Sequence, residues 1–392
     1  MISQAHSLLL KNGLLLDVEQ RRFRRGDILL AGGRIEQIGE AIESMAGGEV
    51  LDAAGRLVCP GLVDLHLHCY FRGHVLGIDA DALAPASGTT TFVDAGSCGA
   101  LGFLGFREYV IRPAAARILA FLNISAIGLQ SVGIDKNEIG ENDDERLLHA
   151  AAAEEMIEKN RDCIAGVKVR MYTGLRSLAP LTRAREVADR VRLPLMVHIA
   201  SGMPPFREML PLLRPGDIVT HIYHGGGDAL LDERDRIRDE FTEARARGIL
   251  FDVGLDRVHT DFEVARKAIS QGFGPHFLST DLTTSNRHIT EDMPTTISKF
   301  VGLGLGLEEA LEKSTLAPAA ALRRADEFGT LREGLAGDLG IFELREGDHA
   351  FSDTYGHTMT ARSRLVPWRT IRKGIPLSPV VRDVEHYEFV LR

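Results

Sequence analysis

The stretch Pro60-Gly61-Leu62-Val63-Asp64-Leu65-His66-Leu67-His68 decides how the rest of the 392-residue chain is read. It is an apolar run that ends in two histidines one residue apart. In a strand, residues i and i+2 project from the same face, so His66 and His68 aim both imidazoles at one site. Two imidazoles on one face at a strand end suit a divalent metal.

Downstream of this run the pattern alternates strand and helix, the signature of parallel β/α units. Apolar strand candidates are Leu62–His68, Thr89–Asp94, Leu119–Ile127, Ile164–Arg170, Leu195–Ile199, Asp217–His221, Ile249–Val253 and His276–Asp281. Helical stretches are predicted over Asp144–Arg161, Thr182–Arg192 and Ala229–Arg247. Eight such repeats over about 260 residues predict an α/β fold, a closed (β/α)8 TIM barrel whose active site lies at the C-terminal strand ends. Upstream, Leu8–Leu10, Asp27–Leu30 and Arg34–Gly39 alternate between Asn12-Gly13 and Gly32-Gly33 turns and predict antiparallel strands. Leu339–Leu344 and Thr370–Gly374 repeat that character at the far end. Neither end has enough residues for a sheet core alone, so residues 1–58 and 326–392 are predicted to form one small composite β-sandwich domain around a 59–325 barrel.

The apolar fraction of 44% and charged fraction of 26% fit a globular chain, and the formal net charge of -9 disfavours nucleic acid and anionic membranes as partners. No apolar run approaches ~18 residues and the first ten residues lack the features of a signal peptide, so a cytoplasmic protein is expected. Cys59, Cys69, Cys98 and Cys163 show no CxxC spacing, which fits a reduced compartment.

Taken together, the strand ends carry His66, His68, Lys168, His198, His221 and Asp281. Burying these polar residues in one barrel is costly without a shared partner, and a metal centre supplies one. Lysine is the informative member, because an ammonium has no lone pair and repels cations. If CO2 adds to the amine of Lys168, the resulting carbamate has two oxygens, each able to bind one metal. The negative charges of the carbamate, Asp281 and a bridging hydroxide would then offset most of the charge of two divalent ions.

The run from Asn12-Gly13 through Gly33-Arg34-Ile35 and Asp52-Ala53-Ala54-Gly55 to His66-Leu67-His68, with the later ligand positions, resembles the amidohydrolase superfamily. It is most similar to the dihydroorotase-like branch with a binuclear centre, and within it to an amidohydrolase/deacetylase group. The resemblance implies that His66, His68 and Asp281 hold one ion, that His198 and His221 hold the other, and that carboxylated Lys168 bridges them. It implies a small-molecule substrate and Asp281 as the catalytic base, and it allows homo-oligomerisation; the histidine and carboxylate ligands suit zinc, and manganese, cobalt or iron would also fit.

Dihydroorotases place an arginine two residues after the second histidine, where this chain has Tyr70, with Arg72 two further on. Arg170, on the same strand face as Lys168 and nearer the strand end, is a candidate to grip a substrate carboxylate. Tyr172, Tyr223 and His224 follow ligand-bearing strands and are candidate pocket residues. Asn286 lies in the loop after Asp281 and is a further candidate; Cys69 faces the pocket or packs as a small apolar residue. Gly225-Gly226-Gly227 lacks the lysine and Ser/Thr of a phosphate loop and is expected to be an active-site loop.

The expected chemistry is metal-assisted hydrolysis, and the resemblance implies that the bond is an acyl ester or amide of a small carboxylate-bearing substrate, such as an acetylated α-hydroxy acid or N-acyl amino acid. Ring opening of a cyclic amide is the alternative. A non-catalytic scaffold of the same fold would lack ligands, and here all six positions are filled.

Overall fold

The structure, a computed structural model, describes residues 7–378 except 133–139, 176, 228, 257 and 354. The ends of the predicted composite domain, residues 1–6 and 379–392, lie outside the described residues.

At the start of the chain, β1 (Ser7–Asp17), β2 (Arg22–Ala31), β3 (Arg34–Gly39), β4 (Glu49–Asp52) and β5 (Leu57–Pro60) follow one another. The β2–β3 turn is the predicted Gly32-Gly33 pair, with φ +57° and +79°, values that glycine adopts without a Cβ clash. Then come the parallel strands β6 (Leu62–Leu67), β7 (Thr89–Gly99), β8 (Arg117–Asn123), β9 (Ile164–Arg170), β10 (Leu195–His198), β11 (Ile218–Thr220) and β12 (Leu250–Asp252). Late in the chain are β13 (Leu339–Ser352), β14 (Thr358–Arg372) and β15 (Ile375–Pro376).

Two sheets result. One runs β15-β14-β13-β5-β1-β2-β3, with β4 beside β1, so the early and late strands meet where β5 pairs with β13, Leu339 opposite Pro60 and Ile341 opposite Val58. Leu8, Leu10, Ile28, Val58, Leu339, Ile341 and Ile371 form its apolar core. The other is a parallel sheet of seven consecutive strands from β6 to β12, in sequence order. β6 and β7 are buried throughout, as expected of strands covered on both faces, and neither shows a polar, solvent-facing alternation. This is a TIM-barrel-like arrangement.

The predicted eighth strand, His276–Asp281, is not a regular strand. Its chain nevertheless bonds both edges of the sheet: Val253 N–H to Phe277 O and Leu255 N–H to Ser279 O on the β12 side, and Asp281 N–H to His66 O and His68 N–H to Leu282 O on the β6 side. Regular extension is lost because the Asp64 carboxylate takes the Thr280 N–H and hydroxyl, and Asp281 sits at φ +48°. Helices also differ from expectation. Asp144–Arg161 is a short 3-10 turn and then a helix over Ala150–Lys159, because Leu148 leaves helical geometry and His149 Nδ1 caps the next helix by accepting the Ala152 N–H. The predicted Thr182–Arg192 helix starts earlier, at Ala179, with Pro180 in its first turn. Ala229–Arg247 is helical only over Asp239–Ala246, since Asp232 accepts the N–H groups of Arg234 and Arg236 and folds that stretch into a turn.

The cysteines are unpaired and buried, and among the described residues no helix is long and apolar enough to cross a membrane. At the N-terminal strand ends, burial lowers the His276 imidazolium from 6.5 to about 4, and its Nδ1 accepts the Phe251 N–H. The unfolded chain therefore takes this proton first as pH falls, so the stability is intact above pH 6.5 and is lost on the way to about 4. His276→Gln is expected to flatten the fall of Tm across that window, measured by thermal unfolding at a series of pH values; an unaltered slope would exclude His276 as the group.

Candidate metal centre

His66 lies in β6 and His68 just after it, Lys168 in β9, His198 at the end of β10 and His221 just after β11, all at C-terminal strand ends. Asp281 sits on the segment bonded to β6. All six side chains are buried and line one cavity of about 1060 Å³, except His221, which lies behind His198 and His66 at ring separations of 4.5 and 5.0 Å.

The imidazoles are oriented by groups on neighbouring strands. Thr220 Oγ1 donates to Asp252 Oδ2 at 2.7 Å and so receives the Nδ1 proton of His66 at 2.9 Å. Ser97 Oγ donates to Asp94 Oδ2 at 2.7 Å and likewise receives Nδ1–H of His68 at 2.9 Å. Nδ1–H of His221 donates to Gly254 O at 2.8 Å. In each ring the proton on Nδ1 leaves Nε2 as a bare lone pair.

Those lone pairs converge on a carboxylate. Asp281 Oδ1 is 3.3 Å from His66 Nε2 and 3.2 Å from His68 Nε2, and Oδ2 is 3.7 Å from His221 Nε2. Acceptors meeting acceptors in a buried site are unfavourable unless a cation lies among them. His221 Nε2 and Asp281 Oδ1 are buried with no hydrogen-bond partner. The donor set thus fits a divalent metal centre. Burial alone would raise the Asp281 carboxyl, but the adjacent His66 and His68 hold it well below the usual carboxylate range, so it stands as an anionic donor. Burial and neighbouring cationic groups keep His198 and His221 neutral, the form that ligates.

Lys168 Nζ lies 3.4 Å from His66 Nε2 and 3.4 Å from Met196 Sδ, and burial lowers its pKa to about 7 against the pull of Asp281 and Asp252. Much of this amine is therefore unprotonated at neutral pH. Its stem passes Gly96, at φ +89°, where a Cβ would lie 2.6 Å from Lys168 Cγ. Gly96→Ala is accordingly expected to displace Lys168 and lower metal content, with a strain cost of about 1–3 kcal/mol; metal analysis and thermal unfolding check this, and wild-type loading would refute it.

The structure separates the remaining candidates. Arg170 and Tyr172 line the cavity; Arg170 Nη1 pairs with Glu141 at 3.1 and 3.2 Å, and the Tyr172 hydroxyl donates to Asp143 Oδ1 at 2.8 Å. Tyr223, His224 and Cys69 are not among the lining residues. Tyr223 turns inward and donates to Phe273 O at 2.9 Å, the His224 ring packs 6.4 Å from that of Phe206, and the Cys69 N–H donates to Asp94 in the core. Asn286 is buried beneath the site and donates to Asp256 Oδ1 and Asp281 O, both at 2.7 Å. Sequence reasoning missed His259 and Asp256, which line the cavity from the loop after β12, and the supporting Asp94, Ser97, Thr220 and Asp252. The signal available was position: Thr220 directly precedes His221, and Asp256 and His259 follow a strand's C-terminal end.

The amidohydrolase family profile matches residues 217–375. A deacetylase of Agrobacterium fabrum is 33% identical over 369 residues, covering 90% of this chain and 88% of its own. Two crystal structures, of a dihydroorotase and of an adenine deaminase, superpose with TM-scores of 0.86 and 0.87 at 30% and 29% identity, each covering 95% of this chain and 99% of the other. The chain belongs to the amidohydrolase family. It is a hydrolase.

Proposed function

We propose that this enzyme is a binuclear deacylase acting on small carboxylate-bearing substrates, such as acetylated α-hydroxy acids or N-acyl amino acids. The observation that carries the reading is the convergence of bare Nε2 lone pairs on Asp281. His66, His68 and Asp281 would hold one ion, His198 and His221 the other, and a carbamate on Lys168 would bridge them; imidazole and carboxylate donors favour zinc. Bound ions lower the pKa of water and polarise a carbonyl. The protein's own part is then proton transfer and positioning. Asp281 takes the proton of the attacking water and passes it to the leaving group. Arg170 projects into the cavity with Glu141 engaging only Nη1, which leaves its remaining N–H groups to orient a carboxylate.

The same reading includes a closed (β/α)8 barrel, since the 276–282 segment bonds both edges of the parallel sheet. It divides the chain into a 59–325 catalytic barrel and a composite β domain from 1–58 and 326–392, supported by the β5–β13 pairing. Deacylation is favoured over ring opening because the arginine expected in dihydroorotases is Tyr70, whose hydroxyl is turned to Gly102 O.

The test couples metal analysis of protein purified with zinc and bicarbonate to a panel of N-acyl and O-acyl acids alongside dihydroorotate. About two ions per chain with turnover of an acylated acid is the expected result. Faster turnover of dihydroorotate than of every acylated acid would replace deacylation with ring opening, and absence of metal would remove the reading.

A further inference from the structure

The structure gathers a fifth imidazole at the centre. His259 follows β12, and its ring centroid lies 4.1 Å from that of His221 and 4.9 Å from that of His198. One ligand nitrogen from each of His198, His221 and His259 falls within 4.8 Å of the other two. His221 spends its Nδ1 proton on Gly254 O, and its Nε2 is buried without a hydrogen-bond partner. His259 is 14% exposed and is steadied by Asp256 Oδ2 at 3.5 Å. Asp256 is itself pinned by Asn286 Nδ2 and by its own N–H to Thr280 O. A side chain meant only to meet substrate needs no such approach to two ligand rings, or a carboxylate fixing it from behind.

We propose that His259 is a third imidazole donor to the ion held by His198 and His221, forming a three-histidine site. The proposal rests on the binuclear reading above and extends its ligand set. Three neutral imidazoles around a borderline ion leave one position open, a common arrangement for zinc. Asp256 plays the part of the carboxylate that orients a ligating histidine and raises its basicity. Two consequences follow: this ion is held whether or not Lys168 carries a carbamate, and it is the tighter-bound of the two.

The test is a titration of the metal-free full-length chain with cobalt(II), followed by visible absorption and by competition with a chromophoric chelator. In His259→Asn one of the two dissociation constants is expected to rise at least 10–100-fold with a changed visible band, the other staying within about threefold. Asp256→Asn should move the same constant in the same direction by less, and it carries the test if His259→Asn melts out. His198→Asn marks which constant belongs to this ion. Two ions bound by His259→Asn with unaltered constants and spectrum, with only KM changed, would overturn the assignment and leave the binuclear reading intact. A wild-type chain that takes up no cobalt would overturn both.

Discussion

Asp281→Asn is expected to retain most of its metal and to lose turnover by about 100- to 10,000-fold, the usual contribution of a general acid–base group. The substitution keeps the shape of the side chain. It also keeps the backbone that places it, because the Asp281 N–H donates to His66 O and Asn286 Nδ2 holds the Asp281 carbonyl. An amide oxygen can still occupy the position between His66 Nε2 and His68 Nε2. What it cannot do is accept a proton from water and give it up again. The measurement is kcat on the best acylated acid beside elemental analysis of the same sample. Activity within a few-fold of wild type would remove Asp281 as the base, whereas loss of all metal would make it chiefly a ligand.

Lys168→Met has the second large expected effect. The amine, lowered by burial to about 7, is a nucleophile towards CO2: a nitrogen–carbon bond forms, one N–H proton leaves to solvent, and the product is an anionic carbamate. Methionine fills the same space beside Met196 Sδ without that option. Metal content should fall from about two ions to about one per chain, with turnover down by at least 1,000-fold, as expected when one metal of a binuclear site is lost. Wild-type metal-free protein reloaded in bicarbonate-free buffer should take up its second ion slowly and recover when bicarbonate is added. Equal loading with and without bicarbonate, together with two ions in Lys168→Met, would exclude the carbamate.

The cluster was legible in the sequence because several polar residues late in otherwise apolar strands, taken jointly, are costly to bury without a shared partner. His66, His68, Lys168, His198 and His221 all fit that pattern, and the structure brings them to one end of one sheet. Asp281 was legible as a residue and misread as a strand end. Its left-handed backbone, like that of His221 at φ +74°, depends on tertiary hydrogen bonds that no local pattern encodes. Tyr223 was misassigned because proximity in sequence to a ligand says nothing about which way the chain turns next; the ring enters the core against Phe300. His259 escaped notice because it sits in a loop, without periodicity to mark its face. Ser97 and Thr220 were invisible for a different reason: a hydroxyl within a strand is ordinary until its partners are known. In the flanking sheet the Gly32-Gly33 hairpin was plain from the glycine pair, whereas the joining of the two chain ends could be inferred only from the shortage of core residues at each, and β5, the strand that makes the join to β13, carries no local mark.

That pairing bears on how the protein is made. Gly61 alone separates β5 from β6, so the strand carrying His66 runs on from one whose partner, Leu339–Phe342, is synthesised much later. A ribosome-bound chain has the first ligand strand long before the neighbour that locks its base. Closing so long a loop early would be entropically costly, and the intervening strands shorten it by folding first. Until the late strands leave the ribosome, β5 is paired with β1 on one side only and its other edge stays open to wrong partners in a nascent chain.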